Sequence, residues 1–159
     1  MRKVLALLTL LSLSYALEYA CVDTERIVRE SKFIAKTQAR FKKEVQVYQK
    51  KIERKQKELQ RLLKELENKA LSEQAREKKL RQIRKLEREL RTLQEEAQAK
   101  LGDKKAQLEK MVLQKVIKAT EQVAKKKKLK AVFDCAALIY KDPSLDVTTE
   151  VLKVLDAQK

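Results

Sequence analysis

The sequence contains few of the residues from which enzyme sites and metal sites are usually built. Its 159 residues include no histidine, no tryptophan, one glycine and one proline. Without histidine the chain lacks the commonest general base and the commonest metal ligand, and one glycine cannot form a glycine-rich phosphate loop. The glutamates are numerous, but they lie in charged helical stretches and not in a predicted pocket. We therefore predict that the protein is not an enzyme and uses no cofactor and no metal.

Long apolar runs are also scarce, and the main one lies at the N terminus. It extends from Val4 to Leu13, follows Arg2 and Lys3, and precedes the small-residue pattern of 14–16. This order is typical of a signal peptide. The run is shorter than the roughly 20 residues that a membrane-spanning helix needs. We predict that residues 1–16 are a signal peptide, cleaved after about Ala16, and that the mature chain is exported.

Most of the remaining chain, 24–128, is predicted to form one long helical hairpin. Apolar residues recur at seven-residue steps in two rows of its first half, and at three- and four-residue steps in its second half, as in a coiled coil. Ser72 is placed to cap the returning helix. Folding the sequence about Leu71 brings apolar positions opposite one another: Ile34 and Leu108, Phe41 and Leu101, Val45 and Ala97, Ile52 and Leu90, Leu59 and Ile83. An antiparallel hairpin with its tip near 69–72 follows.

The segments that flank the hairpin, 17–23 and 129–159, are predicted to form a small β-rich body. Short apolar runs suggest one strand at 19–23, a second at 130–135 and a third at 138–140, after which a C-terminal helix begins behind Asp146. The two segments together contain 38 residues. Domains below about 40 residues rarely fold alone, so the body is expected to associate with copies of itself. Four residues are assigned to this association: Val22, Val132, Phe133 and Ile139.

The fold class is therefore mainly α with a small β body, from which a long antiparallel coiled-coil arm emerges. Cys21 and Cys135 lie in predicted strands of the body. Two cysteines in an exported protein favour a disulfide, and two buried free thiols are the alternative. The single glycine, Gly102, lies within the returning helix and marks either a flexible point or a tolerated exposed position.

The positive charge is concentrated in the arm. Residues 24–128 contain 33 lysines and arginines against 16 aspartates and glutamates. A solvated helical surface explains many of these charges, but the basic excess favours attraction to anionic partners. Three apolar residues lie off the coiled-coil seam: Phe33, Val47 and Leu63. They are candidates for contact with a non-native client, and a widened seam is the alternative.

Both ends of the mature chain resemble the Skp (OmpH-like) family of periplasmic chaperones. The resemblance is carried by Ala20-Cys21-Val22-Asp23-Thr24-Glu25-Arg26-Ile27, by Ala131-Val132-Phe133-Asp134, by Leu138-Ile139-Tyr140 and by the final helix from Asp142 to Leu152. It implies a periplasmic homotrimer whose arms surround a cavity, and which holds unfolded outer-membrane proteins without ATP. Cys21 and Cys135 are not expected as a feature of that family.

The sequence is therefore consistent with two functions. The first is a holdase that keeps unfolded outer-membrane proteins from aggregating. The alternative is a structural coiled-coil protein that binds anionic lipid or lipopolysaccharide through its lysines. Nucleic acid is not an expected partner, because the signal peptide removes the chain from the cytoplasm and no recognition motif is present.

Overall fold

The structure, a computed structural model, describes residues 18–157, so the predicted signal peptide lies outside the described residues. The elements in chain order are β1 (Tyr19–Val22), α1 (Thr24–Glu30), α2 (Lys32–Leu66), α3 (Glu73–Lys127), β2 (Ala131–Asp134) and α4 (Thr148–Ala157). Short 3₁₀ turns occupy Cys135–Ala137 and Pro143–Leu145. The predicted fold class is confirmed: a long helical hairpin emerges from a small body that contains a two-stranded sheet.

The sheet pairs the two ends of the chain. β1 and β2 run parallel, with Cys21 opposite Phe133 and Val22 opposite Asp134. Parallel strands need a long crossover connection, and here the entire helical hairpin is that connection. On the other edge of β1, Cys21 forms a single bridge with Asp146, and the Val147 N–H donates to the Cys21 carbonyl at 3.0 Å.

The predicted third strand at 138–140 is wrong. After β2 the chain turns through Cys135–Ala137, where the Asp134 carboxylate accepts a hydrogen bond from the Ala136 N–H. Residues 138–140 then leave the sheet without pairing in the described part of the chain. Ile139 is fully exposed and Tyr140 is mostly exposed. The sequence has the strand-like composition there, but one copy of the chain offers this segment no strand to pair with.

The core of the body lies between the C-terminal helix and the roots of the arm. Val151 and Leu155 of α4 are completely buried, as are Ala119 of α3 and, nearly so, Ile27 of α1. They pack with residues of β1 and with Val147 in one cluster. The body is therefore held together by residues from both ends of the sequence.

The arm consists of α2 and α3, joined by a turn at 67–72. Ser72 caps α3 as predicted, because its hydroxyl accepts from the Ala75 N–H. Ion pairs join Lys55 to Glu89 and Glu65 to Lys79 across the two helices, over 34 and 14 positions. Both pairs are centred on Ser72, one residue beyond the predicted fold point, Leu71. An arm helix of 35 residues spans about 50 Å at 1.5 Å per residue.

The two arm helices differ in continuity. The first helix is interrupted at Ser31, which ends α1 and caps α2. This interruption differs from the single continuous helix that was predicted from Thr24 onward. By contrast, α3 runs through Gly102 without a break, and a Cβ added there would meet no atom within 4 Å.

Candidate functional site

The exposed large apolar side chains fall into two groups. Two of them, Val47 and Leu63, lie on the arm. The others lie on the body and on the adjoining root of the arm, namely Tyr19, Val28, Leu113, Ile117, Phe133, Ile139 and Tyr140. An apolar surface concentrated in one region of a small protein is typical of an interaction site.

A groove of about 410 Å³ lies between α3 and β2. Leu113 and Ile117 of α3 line one side, and Val132 and Phe133 of β2 line the other. β2 pairs only with β1 within 18–157, so its second edge is open beside this groove. An open strand edge with apolar walls can accept a further strand. We call this groove and strand edge the body groove.

The four residues assigned to association occupy different environments. Val22 is buried in the core of its own chain and also lines the body groove, so its assignment to association stays a prediction. Val132 is half-buried and lines the body groove. Phe133 is about half exposed, with its ring 6.4 Å from that of Tyr19. Ile139 projects into solvent from the segment that was predicted to be a strand.

A second apolar groove, of about 450 Å³, lies at the root of the arm between α1, α2 and α3. Its lining includes Ile34 and Phe41 of α2 and Leu108 and Val112 of α3. These residues belong to the predicted seam; Ile34 is buried in the core cluster against which Val112 also packs, whereas Phe41 and Leu108 are only half-buried. We call this second groove the root groove. It meets the body groove at Thr24, Leu113 and Val116, which line both.

The three residues assigned to client contact also lie in different environments. Val47 and Leu63 are exposed on the arm, as that assignment requires. Phe33 instead packs against the core of the body, and the Lys115 Nζ lies 4.9 Å above its ring. Phe33 is therefore half-buried by its own chain, and its assignment to client contact stays a prediction.

Sequence reasoning missed Val28, Leu113 and Ile117. Leu113 and Ile117 are four positions apart and lie off the predicted seam of α3. Apolar residues at this spacing share one face of a helix, which is the signal that identifies a second apolar stripe.

The charged surface of the arm is only partly compensated within the described residues. Hydrogen bonding and the nearby charge of Lys55 lower the pKa of Glu89, and those of Lys79 lower the pKa of Glu65. Most other ion pairs of the arm join residues four apart on one helix. Because the arm has about twice as many basic as acidic residues, its surface remains strongly positive.

The structure joins Cys21 to Cys135 in a disulfide. Cys21 is completely buried in β1, and Cys135 lies in the 3₁₀ turn after β2, not in a strand. Their bond joins β1 to the turn that follows β2, two residues after Phe133. It cross-links the body without involving the arm.

Within residues 18–157 no helix is long and apolar enough to cross a membrane. The same part of the chain contains no cluster of three histidine, cysteine, aspartate or glutamate residues arranged to hold a metal ion.

A small body that carries a long two-helix arm defines a recognisable class of protein. The crystal structure of an OmpH-like protein from Caulobacter crescentus CB15 has a TM-score of 0.78 with this chain at 19% identity, and the match covers 90% of this chain and 86% of that one. An uncharacterized protein of Aquifex aeolicus (strain VF5) is 59% identical over 157 residues, which make up 98% of this chain and 97% of that protein.

A family model described as outer membrane protein (OmpH-like) matches residues 18–155. The chain therefore belongs to the OmpH-like family. The resemblance found at both ends of the sequence is confirmed.

Proposed function

We propose that this protein is an ATP-independent periplasmic holdase, which binds unfolded outer-membrane proteins between its arms and prevents their aggregation. The observation that carries the proposal is the arm itself, a basic two-helix hairpin whose outer face packs against nothing else in the described chain. Beyond its root the arm takes no part in the core of the body, which favours a role toward an external partner. The Caulobacter crescentus protein of similar fold is described as a candidate outer membrane chaperone.

The body supplies the contacts for a homotrimer. Its open β2 edge and the exposed segment 138–140 are two separate segments of one chain. Leu138 has an extended backbone, and Ile139 and Tyr140 favour strands. When 138–140 of one copy pairs with the body groove of the next, the contact joins two unlike surfaces, and three such contacts close a ring. Phe133 and Val132 then lie between copies.

The arms supply the surface for clients. Their positive charge attracts acidic segments of an unfolded chain, and Val47 and Leu63 offer scattered apolar contacts without forming a fixed pocket. Weak contacts spread over a long surface suit a client that has no single shape. The predicted signal peptide supports a periplasmic location for this activity.

The test is dilution of a urea-unfolded outer-membrane β-barrel protein into buffer with the purified mature protein and no nucleotide. We expect light scattering from aggregates to fall as the chaperone approaches one trimer per client. Unchanged aggregation would refute the holdase. Protection seen only with anionic vesicles would favour the alternative, a coiled-coil protein that binds anionic lipid or lipopolysaccharide.

A further inference from the structure

Ser31 is the junction between the body and the arm. Its extended backbone interrupts the helix, its N–H donates to the Ile27 carbonyl of α1, and its hydroxyl oxygen accepts from the Ile34 N–H of α2. α1 belongs to the body, because Ile27 is buried in the core and the Thr24 hydroxyl donates to Asp134 at 2.6 Å. The direction of α2 is therefore decided at a single non-helical residue.

The first turn of α2 is held by a carboxylate from the other end of the sequence. Asp156 of α4 accepts hydrogen bonds from the Ser31 hydroxyl at 2.7 Å, the Phe33 N–H at 3.1 Å and the Lys32 N–H at 3.1 Å. The first N–H groups of a helix have no partner inside the helix, and negative charge is favoured at this end. Burial acts to raise the pKa of Asp156, yet these hydrogen bonds lower it below its ordinary value.

Asp156 is itself fixed in position. It follows Leu155, which is completely buried, and Val151 anchors the preceding turn of α4. The carboxylate therefore links the body core to the start of α2. Three hydrogen bonds at two oxygens also constrain orientation, whereas apolar contact alone would allow α2 to slide or tilt.

Apolar packing at the root covers α2 only in part. Ile34 is buried in the core cluster against which Val112 also packs, but Phe41 and Leu108 are half-buried and line the root groove. α3, in contrast, passes from the body into the arm as one uninterrupted helix. Of the two arm helices, only α2 has a joint at the body, and Asp156 lies at that joint.

We propose that Asp156 is a positioning residue, which fixes the direction in which α2 leaves the body and thereby sets the width of the root groove. Loss of its three hydrogen bonds leaves α3 in place and lets the start of α2 tilt about Ser31. The consequence for client holding rests on the proposed function. The effect of Asp156 on the direction of α2 does not depend on that function.

The experiment measures the distance between α2 and the body in the full mature protein. Spin labels are attached through a non-cysteine amino acid at the exposed positions Lys50 and Lys153, and labelled chains are diluted with unlabelled ones so that only distances within one chain are seen. We expect Asp156→Ala to broaden the pulsed-EPR distance distribution. Amide exchange at Lys32 and Phe33 should become roughly five- to tenfold faster, the effect of losing a helix cap.

Two further variants separate positioning from general stability. Asp156→Asn keeps one oxygen that can accept from Ser31 and Phe33, so its distribution should lie between those of the wild type and Asp156→Ala, and it carries the test if the alanine variant does not fold. Asp142→Ala removes a carboxylate that caps only the Pro143–Leu145 turn, and it should leave the distribution unchanged.

A distribution unchanged in both Asp156 variants would overturn the proposal, because Asp156 would then contribute only stability. Equal broadening in Asp142→Ala would also overturn it, since any loosening of the body would then move the arm. Failure of the wild type to protect clients would refute the proposed function and leave the distance result standing.

Discussion

The disulfide between Cys21 and Cys135 joins residues 114 positions apart, one on each side of the arm in the sequence. The bond therefore closes a loop that contains both arm helices. Within the body it lies beside the pairing of β1 with β2, where Cys21 is opposite Phe133.

Removal of this bond should lower the stability of the body. In the chain-entropy model a loop of this length contributes about 4 to 5 kcal/mol. We expect the double variant Cys21→Ala, Cys135→Ala to unfold at a lower denaturant concentration, with reductant lowering the wild type to a similar value. Thiol counting in denaturant without reductant should find no free thiol in the wild type. Two free thiols per chain would contradict the bond.

Acid should weaken the body through Asp146. Burial acts to raise the pKa of this carboxyl, but hydrogen bonds from Lys141 and Thr148 outweigh it and lower the pKa to about 2. A depressed pKa contributes stability above the unfolded value, near 3.9, and the contribution is lost as the pH falls from about 4 to about 2. We expect Asp146→Asn to cost about 2 kcal/mol at pH 7 and nearly nothing at pH 2. A cost independent of pH, measured by urea unfolding, would show that the charge is not involved.

Phe133→Asp should disrupt assembly while sparing the single chain. Phe133 is half exposed in one chain, so a charge is tolerated there, but between copies it would be buried without a partner. Light scattering should report about three chains per particle for the wild type and one for the variant. Val47→Asp, on the arm, is the matched control and should keep the wild-type mass. A trimeric Phe133→Asp protein would place the interface elsewhere.

Deletion of residues 45–99, with the gap closed by a short turn, should give a trimer that does not protect clients. These residues are centred on Ser72, as the cross-helix ion pairs are, so the two cut positions, 45 and 99, lie opposite each other on the two helices. Coiled-coil contacts are local, and the root of the arm keeps its own packing. Mass measurement and the aggregation assay test the two halves of this prediction. Full protection by the shortened protein would assign client binding to the body.

Salt should slow the capture of clients more than it speeds their release. The charges of the arm are exposed, and such charges are screened beyond about 8 Å at physiological ionic strength. Steering by charge acts mainly on the association rate. Stopped-flow measurement of client binding at rising salt should show this fall. An association rate that does not change with salt would mean that the lysines only keep the arms soluble.

The sequence was sufficient for the arm, because periodic apolar residues and the Ser72 cap specify helices and a reversal by local rules. It was less informative for the body. At the interruption at Ser31, the start of α2 is hydrogen-bonded to Asp156, which lies 125 positions away, and no local pattern contains that contact. Residues 138–140 have the composition of a strand, but composition cannot say whether a pairing partner is present in the same chain. The environments of Phe33 and Val22 were unpredictable for a similar reason, since both pack in a cluster whose other members include residues distant in sequence.

The parallel pairing of β1 with β2 also affects the order in which parts of the chain fold. More than one hundred residues separate β1 from β2 in the sequence, so the sheet is among the last structures to form. The arm can fold earlier, because contacts near its tip are short in sequence and each new layer brings the next pair together at little entropic cost. Zipping from the tip toward the root finally brings the two strands together. We expect the arm helices to acquire hydrogen-exchange protection before Tyr19–Val22 does during refolding.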